Sequence, residues 1–165
     1  MNTEIRNWPH FVIEVLSIML LLYCFTPLLA SGKMADAQIP THFDADGNPD
    51  ASGSAKDLIY LPLLSLFVFA IMTLGEKFPK MINLGTKKTM AKLSDNGKEY
   101  LNANGWKLMR ETKLCAMFIM AYISHWTCQI AQGKATTMPM WGIWLPFCAM
   151  LAVLVAFMYK LYNWN

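Results

Sequence analysis

The residues with the richest chemistry lie in one polar segment between two long apolar runs. This loop, residues 39–56, reads IPTHFDADGNPDASGSAK. Oxygen-bearing side chains at alternating positions, as at Asp44, Asp46 and Asn48, are typical of a calcium-binding loop. Such a loop needs glycine at its sixth position and glutamate at its twelfth. Here Pro49 occupies the sixth position, and the twelfth is not a glutamate. We therefore predict no metal site and no cofactor, and expect the carboxylates to face a partner.

The turn-forming residues of this loop predict a loop with a defined conformation and not a flexible linker. Pro40 fixes one backbone angle, and Gly47 and Gly53 permit positive φ. We expect Phe43 to be buried against the outer ends of the helices, with His42 at the polar edge. The predicted partner-binding residues are Pro40, His42, Phe43, Asp44, Asp46, Gly47 and Asp50.

Two further ionisable side chains lie inside apolar runs. Glu14 is a functional candidate because a charge in hydrocarbon is costly. His10 precedes it by four residues, on the same face of a helix, so the two could hydrogen-bond; otherwise Glu14 reaches lipid headgroups or Arg6. His125 could carry protons in the bundle interior, or it could simply hydrogen-bond a neighbouring helix.

No stretch of the sequence indicates catalysis. It contains no G-x-S-x-G, no H-E-x-x-H and no phosphate-binding glycine loop, which are the signatures of common hydrolases, zinc proteases and nucleotide enzymes. Without C-x-x-C spacing, we expect the cysteines to act as small hydrophobic residues. The sequence therefore predicts a protein that is not an enzyme.

The elements that position these residues are apolar runs. Of the 165 residues, 55% are hydrophobic, and the charges are segregated into a few segments. Four runs are long enough to cross a hydrocarbon core of about 30 Å as helices, and the first exceeds the roughly 7–15 apolar residues of a signal peptide. The predicted spans are residues 11–30, 58–75, 114–131 and 140–162. We predict a single all-α integral membrane domain over residues 1–165 with four transmembrane helices.

The basic segment, residues 76–113, sets the expected orientation. It holds nine Lys and Arg, against two in the first loop and one in the third. The positive-inside rule then places this segment and both termini in the cytoplasm and the turn-rich loop outside. We expect one or two amphipathic helices on the membrane surface here, broken near Asn96-Gly97 and Asn104-Gly105. Anionic lipid or a cytoplasmic protein is the expected partner, and nucleic acid is not.

The pattern I-P-x-H-F-x-x-x-G-x-P-D at residues 39–50 resembles the signature of a bacterial membrane family of unknown function. In that family the motif follows the first membrane helix and precedes the second, and the resemblance covers about residues 10–75 of this chain. The same domain forms the amino-terminal part of immunity proteins against the sporulation-delaying toxin. The resemblance implies a membrane fold and location in a bacterial cytoplasmic (inner) membrane.

Two functions remain open at this point. The first is a non-enzymatic recognition or immunity-like protein that binds an extracellular peptide or protein through the loop. The alternative is a small transporter, or an accessory membrane subunit, that uses Glu14 and His125.

Overall fold

The structure is a computed structural model that describes residues 3–34, 36–77 and 93–163. Four of its helical segments are long and apolar enough to cross a membrane, which is consistent with a multi-pass membrane protein. They are Trp8–Ala30, Ala55–Lys77, Asp95–Ala131 and Trp141–Asn163. Each contains or overlaps one of the four predicted spans. Large apolar side chains such as Leu22, Phe67 and Val155 are exposed on them, as expected for surfaces that face lipid.

The described residues form five α-helices, two short 3₁₀ helices and one pair of strands. The α-helices are α1 (Thr3–Tyr23), α2 (Thr26–Ala30), α3 (Tyr60–Lys77), α4 (Asp95–Ala131) and α5 (Trp141–Asn163). The strands are β1 (Ile39–Phe43) and β2 (Pro49–Gly53), and the 3₁₀ helices are Ser31–Met34 and Ala55–Ile59.

Proline and a capping residue explain where the first helices begin and end. Pro27 lies in the first turn of α2, where its missing N–H costs nothing, so the first span is divided after Tyr23. Before α3, the carboxylate of Asp57 accepts a hydrogen bond from the backbone N–H of Ser54 at 2.6 Å. This cap redirects the chain from the strands into the second span.

Helix α4 is the central element of the bundle and packs against α1, α3 and α5. It contains 37 residues, about 55 Å at 1.5 Å per residue. The helix begins beside the break predicted at Asn96-Gly97, with the side chain of Ser94 accepting from Gly97 N–H at 3.0 Å. The second predicted break, at Asn104-Gly105, is wrong. A glycine costs only about 1 kcal/mol inside a helix, and Gly105 is buried, so packing maintains the helix there.

Residues 95–113 of the basic segment are therefore continuous with the third span and do not form a separate surface helix. Residues 78–92 lie outside the described residues, so the expected amphipathic helix in that part stays a prediction.

A glycine allows α4 and α5 to approach closely. A Cβ on Gly142 would overlap the ring of Tyr122, and the Tyr122 hydroxyl donates to the carbonyl of Pro139 at 2.6 Å. The Tyr122 ring thus contacts both the start of α5 and the turn that precedes it.

The turn-rich loop contains a β-hairpin that the sequence analysis did not predict. β1 and β2 are antiparallel, with Ile39 opposite Gly53 and Phe43 opposite Pro49, and the register is irregular around His42. Asp-Gly in the connecting turn is a hairpin signal. The base of the hairpin is anchored by Ile39, which is buried with Met34 and Leu58 in a small apolar core.

Candidate functional site

Two regions at opposite ends of the bundle are candidate functional sites. We call the first the hairpin cleft, formed by the hairpin and the adjoining parts of α2, α3 and α4. The second is the charge cluster, formed by Glu14, Glu76, Arg110 and Lys113.

The turn of the hairpin is organised by one carboxylate. Oδ1 of Asp44 accepts from the backbone N–H groups of Asp46 at 2.9 Å and Asn48 at 2.8 Å. The side-chain amide of Asn48 also donates to Oδ2 of Asp44 at 3.0 Å. These bonds, first that from the Asn48 amide, hold the pKa of Asp44 below its ordinary value. Asp44 therefore shapes the turn, whereas we had expected it to serve a partner.

Glycine is required at Gly47 for two reasons. Its φ is +84°, as predicted, and a Cβ there would overlap the carbonyl oxygen of Met138. The carbonyl of Gly47 accepts from the N–H of Met138 at 2.8 Å, which joins the hairpin to the turn before α5. Gly53, in contrast, has no positive φ. Its small size matters because a Cβ would overlap the carboxylate of Asp57.

The remaining hairpin residues divide into an exposed and a buried set. Nδ1 of His42 lies 2.6 Å from Oδ1 of Asp50, and both side chains are exposed. Asp46 is also exposed. Pro40 is buried, whereas Phe43 is only partly buried, which is less than the burial that we expected. The ring forms part of the open hairpin cleft, so it cannot be enclosed on all sides.

The hairpin cleft has a volume of about 250 Å³ and is mostly apolar. Its apolar lining includes Pro27, Ile39, Phe43, Leu61, Leu64 and Ile123. The hydroxyl of Ser124, which also lines the cleft, is already used, because it donates to the carbonyl of Cys24 at 3.2 Å. The cleft can therefore accept an apolar group, and Asp46 and Asp50 carry exposed carboxylates on the same hairpin.

The charge cluster is centred on a fully buried lysine. Nζ of Lys113 lies 2.7 Å from Oε2 of Glu14 and 3.0 Å from Oε2 of Glu76, and it donates to Thr73 Oγ1 at 3.3 Å. None of the Lys113 side chain is exposed. Because an unpaired buried charge is strongly destabilising, the two carboxylates are what allow a lysine at this place.

Arg110 completes the charge balance, with two cations against two anions. Its guanidinium hydrogen-bonds Glu76, and its Nε lies 3.6 Å from Oε2 of Glu14. The guanidinium also covers the ring of Trp106 at 5.3 Å, a cation–π contact. The cluster thereby ties α1, α3 and α4 together, and Arg110 adds a hydrogen bond to the backbone carbonyl of His10 on α1 at 3.4 Å.

The hydrogen bond that we considered between Glu14 and His10 does not form in the structure. Glu14 binds Lys113, and the imidazole of His10 contacts the ring of Trp106 edge-on, with centroids 4.7 Å apart. Sequence reasoning missed Glu76, Arg110 and Lys113 as partners. A signal existed, because an acid one turn inside a span calls for a cation at the same depth on another helix.

His125 lies at the other end of α4. Its Nδ1 is 2.6 Å from the hydroxyl of Tyr23, which supports the simpler of its two interpretations, a histidine bonded to a neighbouring helix. His125 is twelve residues beyond Lys113, about 18 Å along the helix axis. Glu14 and His125 therefore do not form one site.

Within the three described ranges, no three His, Cys, Asp or Glu side chains are grouped so that they could hold a metal ion. All four cysteines, Cys24, Cys115, Cys128 and Cys148, carry free thiols. Cys24 is buried, as expected of a small hydrophobic residue, whereas Cys148 is exposed on α5.

Comparison with known proteins gives one partial relative. An uncharacterized protein of Archaeoglobus fulgidus is 36% identical over 66 residues, which covers 35% of this chain and 36% of the relative. The chain thus spans about a third of the length of the relative it matches. No family model matches the chain, and no solved structure matches it.

Proposed function

We propose that this protein is a non-enzymatic membrane recognition protein, of the immunity type, that binds a peptide or protein at the outer face of a bacterial cytoplasmic membrane. The observation that carries the proposal is the apolar cleft of about 250 Å³ beside β1. The resemblance of residues 39–50 to the immunity proteins supports the same function.

The chemistry of the hairpin defines the partner. An apolar side chain would enter the cleft, where Phe43, Leu61 and Leu64 surround it. Cationic groups beside it would meet the exposed carboxylates of Asp46 and Asp50. Since α3 begins at the cleft, an amphipathic cationic peptide at the membrane interface fits both properties.

A photo-crosslinking residue at Thr41, which is exposed and lines the cleft, tests this proposal. In cells we expect an adduct that weakens with added salt and with the double substitution Asp46→Asn and Asp50→Asn. The matched control is Leu145, exposed on the lipid-facing surface of α5. The same adducts at both positions, unaffected by the double substitution, would contradict a specific site.

The orientation belongs to the same proposal: termini in the cytoplasm and the hairpin outside. Single cysteines at Ser52 and Asn96, both exposed, test it in a cysteine-free background. A membrane-impermeant thiol reagent applied to intact cells should label the first and spare the second. Equal labelling would contradict the orientation.

Transport is the second candidate, and the charge cluster is the observation that favours it, because ionisable residues inside spans often mark ion pathways. A transport route would have to use Glu14 with Glu76, Arg110 and Lys113, since His125 is remote. Glu14→Gln keeps an acceptor for Lys113 and leaves Glu76 as counterion. Ion flux in liposomes that this substitution abolishes would favour transport; no flux above that of protein-free liposomes would favour recognition.

The basic segment would bind anionic lipid or a cytoplasmic protein. Part of it, residues 78–92, lies outside the described residues, so this part of the proposal depends on charge alone.

A further inference from the structure

A second groove lies between α4 and α5, at the end of the bundle away from the hairpin. Its volume is about 270 Å³. Lys107 and Glu111 of α4 and Lys160 of α5 line it, together with the apolar side chains of Val153 and Phe157. The groove thus combines two cations, one anion and an apolar wall.

Its charged groups are available to a ligand. Nζ of Lys107 donates to the amide oxygen of Asn104 at 3.0 Å and lies over the ring of Trp106 at 5.6 Å. In the described part of the chain, no ion pair joins Lys107, Glu111 or Lys160 to another side chain. Each of the three could therefore pair with a charged group of opposite sign that enters the groove.

The groove also lies where lipid headgroups are expected. Lys160 is in the last turn of α5, and its neighbours Tyr159 and Tyr162 are exposed, as in an interfacial aromatic belt. Towards the other end of α5, Leu151 and Leu154 are exposed. A headgroup in the groove could therefore direct its acyl chains along this apolar surface.

We propose that the groove binds a phospholipid whose headgroup carries a phosphate and a primary ammonium but no carboxylate, namely phosphatidylethanolamine. The phosphate lies between Lys107 and Lys160, and the ammonium donates to the carboxylate of Glu111. Phosphatidylglycerol has no ammonium, so the carboxylate of Glu111 would have no cationic partner beside the lipid phosphate. Phosphatidylcholine has no N–H to donate. The inference is independent of the hairpin's function and concerns a different surface.

Native mass spectrometry of the detergent-purified protein, with the three lipids at matched acyl chains, tests this site. We expect the wild type to bind phosphatidylethanolamine most tightly. Glu111→Gln should remove its preference over phosphatidylglycerol. Lys160→Gln, on the exposed last turn of α5, should weaken both by about fivefold, the effect of one surface cation on lipid binding.

Matched controls on the first turns of α4 are Glu99→Gln and Lys98→Gln, which change the same charges outside the groove. Neither should alter the lipid preference. The proposal is overturned if phosphatidylglycerol binds the wild type as tightly as phosphatidylethanolamine, or if the controls match the groove variants. Should Glu111→Gln fail to fold, Lys160→Gln decides alone: unchanged binding overturns the site.

Discussion

The two ends of the bundle are held together by different kinds of contact. At the hairpin end, the bonds join a backbone group to its partner, as between the N–H of Met138 and the carbonyl of Gly47 and between the turn N–H groups and the carboxylate of Asp44, and apolar side chains form a small core. At the other end, the charged side chains of the cluster bind one another. Exposed side chains of the hairpin such as Asp46 remain accessible to a partner, whereas the charged side chains of the cluster are already engaged.

This difference also predicts how each end fails. A typical backbone hydrogen bond contributes about 1 kcal/mol net, so the hairpin should weaken in small steps. A buried ion that loses its partner is far more damaging, so the cluster should fail at a single substitution. The predictions below test this contrast, beginning with the largest effect.

Lys113→Met should have the largest effect on stability. It leaves Glu14 and Glu76 with only Arg110 to balance them, and breaking a buried pair costs about 3–5 kcal/mol. We expect a large loss in thermal stability in detergent, or poor membrane accumulation.

Adding Glu14→Gln to Lys113→Met should recover most of that loss, because Glu76 and Arg110 then balance each other. Lys98→Met is the matched control, since in the described part of the chain Lys98 pairs with the exposed Asp95 and such pairs contribute less than about 1 kcal/mol. Equal effects of Lys113→Met and Lys98→Met would show that the cluster is not structurally important.

Gly47→Ala should be the next largest change and can be compared with Gly133→Ala. Both glycines have positive φ, which costs alanine about 1–2 kcal/mol. Only at Gly47 would the added Cβ overlap another residue, the carbonyl of Met138; around Gly133 the space is open. We therefore expect Gly47→Ala to lower the free energy of unfolding by about 1 kcal/mol more than Gly133→Ala does. The difference is the contribution of the hydrogen bond to Met138. Identical unfolding midpoints would mean that the hairpin does not depend on this contact.

The contrast between the ends also explains what the sequence could and could not predict. The four spans were predictable because an apolar run of about 20 residues has few alternatives. The positive φ of Gly47 was predictable because glycine in an Asp-Gly turn has a local cause. Both depend on neighbours in the chain.

The charge cluster could not be predicted from neighbouring residues in the chain. Glu76 and Lys113 are 37 positions apart. Both lie at the edges of the basic segment, where they look like the charged residues that commonly flank a membrane span. Only the antiparallel packing of α3 and α4 brings them to one depth. The β-strands were missed for a different reason: Pro40, Pro49 and Gly53 are residues that strands disfavour.

Phe43→Ala should have a moderate effect. Fully burying such a ring contributes about 1.5–3 kcal/mol, and Phe43 is only half-buried, so we expect a loss of about 1 kcal/mol in thermal unfolding. Because the ring lines the cleft, crosslinking from Thr41 should fall more than stability does. Unchanged crosslinking would remove Phe43 from the partner site.

The smallest effect concerns the pH dependence of the hairpin turn. The amide of Asn48 and the turn N–H groups lower the pKa of Asp44 in the folded protein. A carboxyl with a lowered folded pKa adds stability above its unfolded pKa, and this stability disappears as the pH falls through the folded pKa. Asn48→Ala removes the first of these donors, so NMR titration should show the pKa of Asp44 rising. Asn102→Ala, an exposed asparagine on α4, is the control and should change nothing. Because Asp44 is at the surface, global stability should hardly move in either variant, and the loss at low pH should appear as faster amide exchange at Asp46 and Asn48. If exchange at these amides were insensitive to pH after correction for its intrinsic rate, the carboxylate would not organise the turn.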